Sequence, residues 1–392
     1  MILNPQPYKG TRDLYPENLQ KRNYIFEVWR KTLKSFGYQE YDTSILENAD
    51  IYLIKSGEEL GSKQLYSFVD KGDRKVALRP EMTPSLARIV ANKFGELKFP
   101  LRWFSIPNCF RYERPQKGRL REFWQLNVDL VGKSAGLVDL EILFLAGKLV
   151  SAFGASPDMF QIRFNHRQVL DNWLVQYELI QFKDLIYTTL DDWFKLTLEQ
   201  NQSKLANQLN PQQIAIVVDL CNKNGQPWRD YIILAQQLPE VKLILETLPT
   251  IAPEINFEFT PTIIRGLAYY TGLVFEGFSL NKESPRAIFG GGRYDNLLDL
   301  FGKKAEAIGF GLGEVPFGDF LEDWNLYPSF DQSQKTGIIL LDSNNLVKLY
   351  KETILELQSK QIEFEIDYDL ERSENKRYES LKKKGCDNII KI

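Results

Sequence analysis

Between residues 121 and 130 the side chains fall into two alternating sets. One set comprises Arg121, Phe123, Gln125, Asn127 and Asp129, and the other comprises Trp124, Leu126, Val128 and Leu130. In a β-strand these two sets lie on opposite faces of the sheet. The apolar set predicts a face that packs on a core. The polar set is either a solvated face or the floor of a polar pocket, and the pattern alone leaves both interpretations open.

A preceding strand over residues 101–112 and a basic turn complete a predicted hairpin. The turn is filled or flanked by Arg114, Pro115, Lys117, Gly118 and Arg119. Such a hairpin can hold a polyanion between its arginines, an aromatic base against Phe123 and an amine against Asp129. The alternative is an ordinary antiparallel hairpin with a charged turn.

Helical spacing of apolar residues predicts a first helix over residues 17–36. Gly37 provides a natural end, and residues 38–46 follow as a strand. Residues 67–70 and 75–78 can pair as a second hairpin. The sequence LRPEMTPSLAR then turns from strand into helix, with Thr83 as the predicted N-cap. Two further elements, a helix over 136–153 and a strand over 161–164, follow the main hairpin.

The later part of the chain changes character twice. Residues 171–249 are rich in Leu, Gln and Lys and read as an inserted helical domain. Residues 336–392 read as strand, helix, strand, helix, strand, which is typical of an open α/β unit with parallel pairing. We therefore predict one domain from residues 1–170 and 250–325, a helical insertion at 171–249, and a C-terminal α/β domain at 336–392.

Composition restricts the possible functions. The chain has 392 residues and a net charge of −3, so nucleic acid would have to bind to local basic patches. His166 is the only histidine, which excludes a catalytic triad and a multi-histidine metal site. It follows a strand and begins a helix, so we interpret it as structural. No P-loop and no GxGxxG after a strand is found.

The cysteines and the hydrophobic pattern indicate a cytosolic protein. Cys109, Cys221 and Cys386 are far apart in the sequence and form no CxxC pair. This spacing favours a reducing compartment and argues against structural zinc. The sequence has no apolar signal core at its start and no long uncharged apolar run, so no membrane association is expected.

Several motifs resemble one family. FRYERPQKGRLREFWQLNVDLVG resembles motif 2 of class II aminoacyl-tRNA synthetases, in its histidyl-tRNA synthetase form. RGLAYYTGLVFE, beginning at Arg265, resembles the second histidine signature of that family. The stretch containing LRPEMT and the GGRYD that begins at Gly291 add to the resemblance. It implies an α+β fold with a class II antiparallel sheet flanked by helices, a helical insertion that helps to clamp tRNA, and a C-terminal domain like the start of an anticodon-binding domain.

The resemblance also implies roles for individual residues. Histidine would be bound by Glu81, Thr83, Gln125, Asp129, Tyr269 and Tyr270, with Glu81 on the α-ammonium group and Asp129 and the tyrosines at the imidazole. ATP would be bound by Arg111, Glu113, Arg119, Arg121, Phe123 and Arg265. Of these, Arg111 and Arg265 would be catalytic because they grip the α-phosphate. Mg²⁺ would arrive with the nucleotide, and no protein metal site is expected.

The expected reaction is the ATP-dependent joining of histidine to tRNA-His by a homodimer. The family places the dimer interface on motif 1, which here corresponds to the helix predicted over residues 17–36 and the strand predicted over 38–46. Four departures from the family pattern keep alternatives open: Ser44 replaces the usual motif 1 proline, Ala268 an aspartate, and Pro316 the motif 3 arginine, while the C-terminal domain stops early. The alternatives are a non-aminoacylating paralogue, such as a regulatory subunit of ATP phosphoribosyltransferase, and an amino-acid-activating relative that does not charge tRNA-His.

Overall fold

The computed structural model describes residues 3–53, 64–116, 118–133, 135–264, 270–281, 287–330 and 335–392. The chain divides into two compact units. The first ends at Tyr327, and the second runs from Pro328 to Ile392.

The helices of the described residues follow in chain order. They are α1 (Pro16–Ser35), α2 (Asp50–Leu53), α3 (Thr83–Asn92), α4 (Leu137–Ser151), α5 (Arg167–Gln176), α6 (Lys183–Asp191), α7 (Leu198–Leu205), α8 (Pro211–Cys221), α9 (Gly225–Gln237), α10 (Pro239–Ile251), α11 (Glu314–Asp323), α12 (Leu346–Lys348), α13 (Leu355–Ser359) and α14 (Glu374–Lys383). A π-helical stretch, Leu349–Ile354, joins α12 to α13.

The strands are named in the same way. They are β1 (Gln39–Glu40), β2 (Leu46–Asn48), β3 (Ser67–Val69), β4 (Lys75–Leu78), β5 (Leu101–Ser105), β6 (Asn108–Phe110), β7 (Glu122–Val131), β8 (Phe160–His166), β9 (Phe257–Phe259), β10 (Leu273–Ser279), β11 (Ala287–Arg293), β12 (Ala307–Gly313), β13 (Lys335–Ile339), β14 (Phe364–Asp367) and β15 (Cys386–Lys391).

The main sheet of the described residues has nine strands in the order β1-β5-β7-β12-β11-β10-β8-β9, and β6 also pairs with β7. The outer pairs β1–β5 and β8–β9 are parallel, whereas the pairs between β5 and β8 are antiparallel. A small antiparallel sheet, β2-β4-β3, lies in the same unit. The predicted α+β class with a largely antiparallel sheet is confirmed.

The alternation along β7 decides how the sheet is covered. Leu126, Val128 and Leu130 are fully buried in the largest hydrophobic cluster, together with residues of α1, α4 and α11. The apolar face of β7 therefore packs on helices, as the sequence predicted. Burying such a face removes apolar surface from water at roughly 25 cal/mol per Å². Gln125, Asn127 and Asp129 are consequently directed to the other face of the sheet.

Two predicted strands are shorter than expected. The strand predicted over 101–112 is two strands, β5 and β6, because Pro107 lies between them and has no N–H to donate to a ladder. The strand predicted over 38–46 has only two paired residues in β1. Its continuation is used differently, since the Asp42 carboxylate and the Thr43 carbonyl each accept a hydrogen bond from Arg79 at 2.9 Å.

Helices dominate the chain from α5 to α10, as predicted for the segment 171–249. Buried leucine, isoleucine and aromatic residues of these helices join the main hydrophobic cluster. In the C-terminal unit β13 is central and pairs in parallel with both β14 and β15. This matches the predicted strand–helix–strand–helix–strand order. The assignment of these segments as separate domains stays a prediction.

Candidate active site

The polar floor predicted on β7 faces a run of glycines on the neighbouring strand β12. Asp129 lies opposite Gly309, Asn127 opposite Gly311 and Gln125 opposite Gly313. A Cβ atom on Gly309 would overlap the Asp129 carboxylate, and one on Gly311 would overlap the Gln125 amide. The missing side chains on β12 therefore leave the space that the Asp129 and Gln125 side chains occupy. Because Asn127 and Asp129 are buried, this part of the polar face of β7 is not solvated.

Asp129 supplies the carboxyl group of this floor, and its pKa is strongly shifted. Its carboxylate accepts a hydrogen bond from the hydroxyl of Tyr294, and only 4% of the residue is exposed. Burial raises the pKa of Asp129 to about 7, although the bond from Tyr294 opposes the change. A carboxyl group with such a pKa can be present in both protonation states near neutral pH. Tyr294 itself was missed as a site residue, although it belongs to the GGRYD stretch.

Arg111 is held beside Phe123. Its Nε donates to the Pro80 carbonyl at 2.9 Å, and its guanidinium carbon lies 5.1 Å from the centre of the Phe123 ring. Glu113 is close, with one carboxylate oxygen 3.9 Å from Arg111 and the other 3.6 Å from Arg119. The structure thus brings four predicted ATP-binding residues together. Arg119 is 65% exposed, so its charge remains available to a polyanion.

Arg121 has a different environment from that of Arg119. Its Nε donates to the Glu113 carbonyl at 3.0 Å, its Nη1 donates to the Tyr8 hydroxyl at 3.1 Å, and its guanidinium lies 4.2 Å from the centre of the Tyr112 ring. The Arg121 backbone N–H also donates to the carbonyl of Gly10 at 2.7 Å. These contacts fasten the N-terminal segment to the hairpin. Whether Arg121 contacts ATP stays a prediction.

Glu81 and Thr83 lie where β4 leads into α3. Glu81 is buried, and Thr83 is the first residue of α3, so the predicted N-cap position is occupied by Met82 instead. Arg79 fixes this turn, because its Nε also donates to the Asn108 carbonyl at 2.9 Å while the whole residue is 2% exposed. Arg79 was missed by sequence reasoning, since nothing in LRPEMT distinguishes a buried arginine from a surface one.

The second histidine signature is described only in part. Tyr270 is buried, and a Cβ atom on Gly292 would lie 2.7 Å from its ring. The glycine of β11 therefore allows the tyrosine to approach the sheet. The predicted residues Arg265 and Tyr269, and the departure at Ala268, lie outside the described residues, as does Lys117 of the basic turn.

The motif 3 departure lies in the first turn of α11. Pro316 is the third residue of this helix, where a missing N–H costs no helical hydrogen bond. Glu314, the first residue of α11, directly follows the last residue of β12. It is buried and forms an ion pair with Arg12 of the N-terminal segment. The arginine found at this end of α11 therefore comes from a distant part of the sequence.

Two other sequence interpretations concern histidine and metal. His166 is buried at the end of β8, and burial lowers its pKa. Its Nε2 lies 3.8 Å from a carboxylate oxygen of Glu240. Among the residues that the structure describes, no group of three or more His, Cys, Asp or Glu side chains is placed to hold a metal ion.

Comparison with known proteins gives a consistent result. The family model for histidyl-tRNA synthetase matches residues 10–313. A histidine–tRNA ligase of Leptospira biflexa is 39% identical over 99% of this chain and 91% of its own length. One of Opitutus terrae is 37% identical over 86% of this chain and 79% of its own length.

Solved structures share the fold. A Bacillus halodurans protein described as an ATP phosphoribosyltransferase regulatory subunit/histidyl-tRNA synthetase superposes with a TM-score of 0.81 at 21% identity, covering 100% of this chain and 99% of that one. The histidyl-tRNA synthetase of Nostoc gives 0.78 at 23% identity, covering 98% and 90%. On the sequence matches and on the motifs that the sheet brings together, the chain belongs to the histidyl-tRNA synthetase family.

Proposed function

We propose that this protein is a histidine–tRNA ligase, which activates histidine with ATP and transfers it to tRNA-His. Relatives that are 37–39% identical over most of both chains carry that name, so a non-aminoacylating paralogue is not favoured. The structural observation that carries the proposal is the polar floor of β7, where the buried Asp129 and the half-buried Gln125 continue into Phe123, which lies beside Arg111. One strand thus supplies residues suited to an amino acid and residues suited to a nucleotide.

Histidine is the amino acid that this floor would select. A buried carboxyl group facing the ligand rejects apolar side chains, because it would be left without a hydrogen-bond partner. In our proposal Asp129 and the tyrosines Tyr269 and Tyr270 surround the imidazole. Glu81, with Thr83 beside it, binds the α-ammonium group, and Gln125 orients the substrate.

ATP would bind toward the basic turn. Phe123 would stack against the adenine, Glu113 would accept from its amino group, and Arg119 would meet the β- and γ-phosphates. Support comes from Arg111, whose guanidinium lies over Phe123 and is fixed by the Pro80 carbonyl. Arg111 and Arg265 would bind the α-phosphate from two sides, and Arg121 would hold the turn or reach the outer phosphates.

The chemistry needs positioning and charge neutralisation more than proton transfer. A carboxylate oxygen of histidine attacks the α-phosphorus, a new P–O bond forms, and the bond to the bridging oxygen breaks to release pyrophosphate. Permanently charged arginines suit the negative charge that crowds this centre. A terminal hydroxyl of tRNA-His then attacks the acyl carbon and releases AMP. Mg²⁺ would accompany the nucleotide as part of the substrate.

We also propose a homodimer. The apolar residues of α1 are used inside the chain, since Ile25, Trp29 and Leu33 are buried in its own core. A candidate surface remains on the small sheet, where Leu46 and Phe68 are exposed. Side chains two residues apart on a strand share a face, and the register places these residues with Val76 and Leu78 on one face of that sheet. Obligate interfaces typically bury more than about 2,000 Å².

The cytosol is the location that we propose. The three cysteines are free and buried, and burial raises the pKa of the Cys109 thiol to about 12. Unreactive thiols of this kind are compatible with a reducing compartment. In the part of the chain that the structure describes, no helix is both long and apolar enough to span a bilayer.

Two assays test the function. Histidine-dependent exchange between ATP and pyrophosphate should occur with the purified protein, and histidine should then appear on a tRNA-His transcript. Asp129→Ala should abolish histidine binding in isothermal titration. Equal binding of leucine or phenylalanine would refute the histidine assignment. Histidine binding without any exchange would favour the regulatory paralogue, and exchange without charging would favour an amino-acid-activating relative.

A further inference from the structure

Asn165, the penultimate residue of β8, lies at the centre of a buried hydrogen-bond network. Its Nδ2 donates to the carbonyls of Pro261 at 3.3 Å and Ile263 at 3.0 Å. Its Oδ1 accepts from the His166 N–H at 2.7 Å and from the hydroxyl of Tyr231. A carboxamide has two N–H bonds and two acceptor positions, so its capacity is fully used. Asn165 is 1% exposed.

The hydrogen bonds of the Asn165 side chain take over from the backbone hydrogen bonds between β8 and β9 at the point where those strands stop pairing. Strand β9 pairs with β8 only as far as Phe259, and the last backbone bond runs from the Thr260 N–H to the Phe164 carbonyl. Beyond Thr260, the Asn165 side chain holds the carbonyls of Pro261 and Ile263. This segment leads into the second histidine signature, because Arg265 follows Ile263 by two positions in the sequence.

Tyr231 connects this segment to the helical part of the chain. It lies on α9, is fully buried, and stacks on the ring of Phe259 at 5.3 Å. Burial raises the pKa of Tyr231 well above its usual value, so the hydroxyl keeps its proton and donates to Asn165. Helix α9 is in turn fixed to α5, because the indole N–H of Trp173 donates to the Pro227 carbonyl at 2.9 Å.

We propose that Asn165 is a positioning residue for the catalytic signature that begins at Arg265, and that Tyr231 makes this positioning depend on the helical segment α5–α10. A fully satisfied buried network fixes one geometry of the Pro261–Ile263 backbone. A disturbance of α9 is then transmitted through one hydrogen bond to Asn165 and so to the Pro261–Ile263 backbone, which precedes Arg265 in the sequence. The effect on catalysis rests on the proposed function, whereas the effect on the Pro261–Ile263 backbone does not.

Tyr231→Phe is the discriminating variant, because it removes the hydroxyl and keeps the stacked ring. We expect kcat of pyrophosphate exchange to fall about two- to tenfold, as for the loss of one buried neutral hydrogen bond, with KM for histidine and ATP unchanged. The matched control is Tyr177→Phe. Tyr177 donates to Asp230, the neighbour of Tyr231, at 2.7 Å but does not contact Asn165, so its kcat should stay at the wild-type value.

A double variant tests whether Tyr231 acts through Arg265. The double variant Arg265→Lys, Tyr231→Phe should have a kcat less than twofold below that of Arg265→Lys alone, because the positioned group has already been changed. Multiplication of the two separate effects would overturn the positioning role. So would a fall in kcat of the same size in Tyr177→Phe.

A second measurement does not depend on activity. Hydrogen–deuterium exchange of a peptide covering residues 255–264 should be faster in Tyr231→Phe than in the wild type, and unchanged in Tyr177→Phe. If wild-type protein shows no pyrophosphate exchange, the proposed function fails while this readout still decides the structural claim. Unchanged deuterium exchange in Tyr231→Phe would overturn the proposal whatever the activity.

Discussion

Arg12 and Glu314 form an ion pair although 302 positions separate them in the sequence. Only 4% of the Glu314 side chain is exposed, against 32% for Arg12, and the second carboxylate oxygen of Glu314 has no hydrogen-bond partner within the described parts of the chain. The pair borders a cavity of about 370 Å³ between the start of α1 and α11. Because Gly10 receives a hydrogen bond from the Arg121 backbone, the N-terminal segment connects α11 to the basic turn.

This connection predicts a large loss of stability in Arg12→Ala. The variant leaves the Glu314 carboxylate buried without its cation, and breaking a buried pair in this way costs roughly 3 kcal/mol or more. Unfolding in urea should show the change, and Arg12→Ala combined with Glu314→Gln should recover part of it. Arg30→Ala is the control, because the Arg30–Glu40 pair is exposed and should contribute about 1 kcal/mol or less. Equal losses in the two alanine variants would contradict the prediction.

The missing motif 3 arginine predicts weak ATP binding. Restoring it with Pro316→Arg should lower the KM for ATP in pyrophosphate exchange, since a charge-assisted contact contributes roughly 1.5–3 kcal/mol, or about ten- to a hundredfold. Val315→Arg adds the same charge one position earlier, on the cavity side of α11, and should leave KM unchanged. A wild-type KM as low as that of arginine-containing relatives would mean that another residue has replaced the arginine.

Asp129 predicts a specific dependence of stability on pH. Its pKa is about 7 in the folded chain and about 4 in the unfolded chain, so the folded state binds more protons between these values. The free energy of unfolding should therefore fall as pH rises from about 4 to about 7, by roughly 4 kcal/mol in all, and change little above pH 7. Asp129→Asn should remove this fall while weakening histidine binding.

The pH prediction has a control in Asp158. Its carboxyl group is exposed and accepts from Ser156, which lowers its pKa. Asp158→Asn should therefore keep the wild-type fall between pH 4 and 7. Urea unfolding at each pH gives the comparison, and a fall that persists in Asp129→Asn would assign the effect to another group.

The glycines of β12 predict separable effects on binding and folding. In Gly311→Ala the three atoms nearest to the new methyl group all belong to the Gln125 side chain, so Gln125 moves and KM for histidine should rise about tenfold, as for one lost hydrogen bond. In Gly309→Ala the new methyl group meets the Asp129 carboxyl group and the backbone carbonyl of Val128. Overpacking of this kind costs about 1–3 kcal/mol of stability. Gly95→Ala is the control, since among the described residues no atom outside Gly95 and its two chain neighbours lies within 4 Å of the Cβ position.

The exposed face of the small sheet predicts how the dimer can be separated. Phe68→Glu places a charge on the face shared with Leu46 and should give monomers at micromolar concentration in analytical ultracentrifugation. Val69→Glu changes a residue on the opposite face that is somewhat more exposed, 63% against 50% for Phe68, and should remain dimeric. A wild-type monomer, or a dimer that survives Phe68→Glu, would contradict this interface.

The sequence by itself determined those features that depend on local periodicity and composition. The two faces of β7, the first helix, the helical segment and the C-terminal strand–helix order follow from spacings of two or about 3.6 residues, which the backbone geometry imposes. The sequence also predicted Arg111, Glu113, Phe123 and Asp129 as site residues, because all four lie within one continuous motif. The sequence did not indicate the break at Pro107 within a predicted strand.

Tertiary structure decided which partner each of these residues has. Tyr294 on Asp129, the β12 glycines under Gln125, and Arg12 on Glu314 all join positions far apart in the chain. Nothing in the sequence indicates that Arg79, Arg111 and Arg121 each donate a hydrogen bond to a backbone carbonyl. The physical reason is that burial and hydrogen bonding are set by what the fold places opposite a side chain, and those neighbours leave no periodic signal in its own segment.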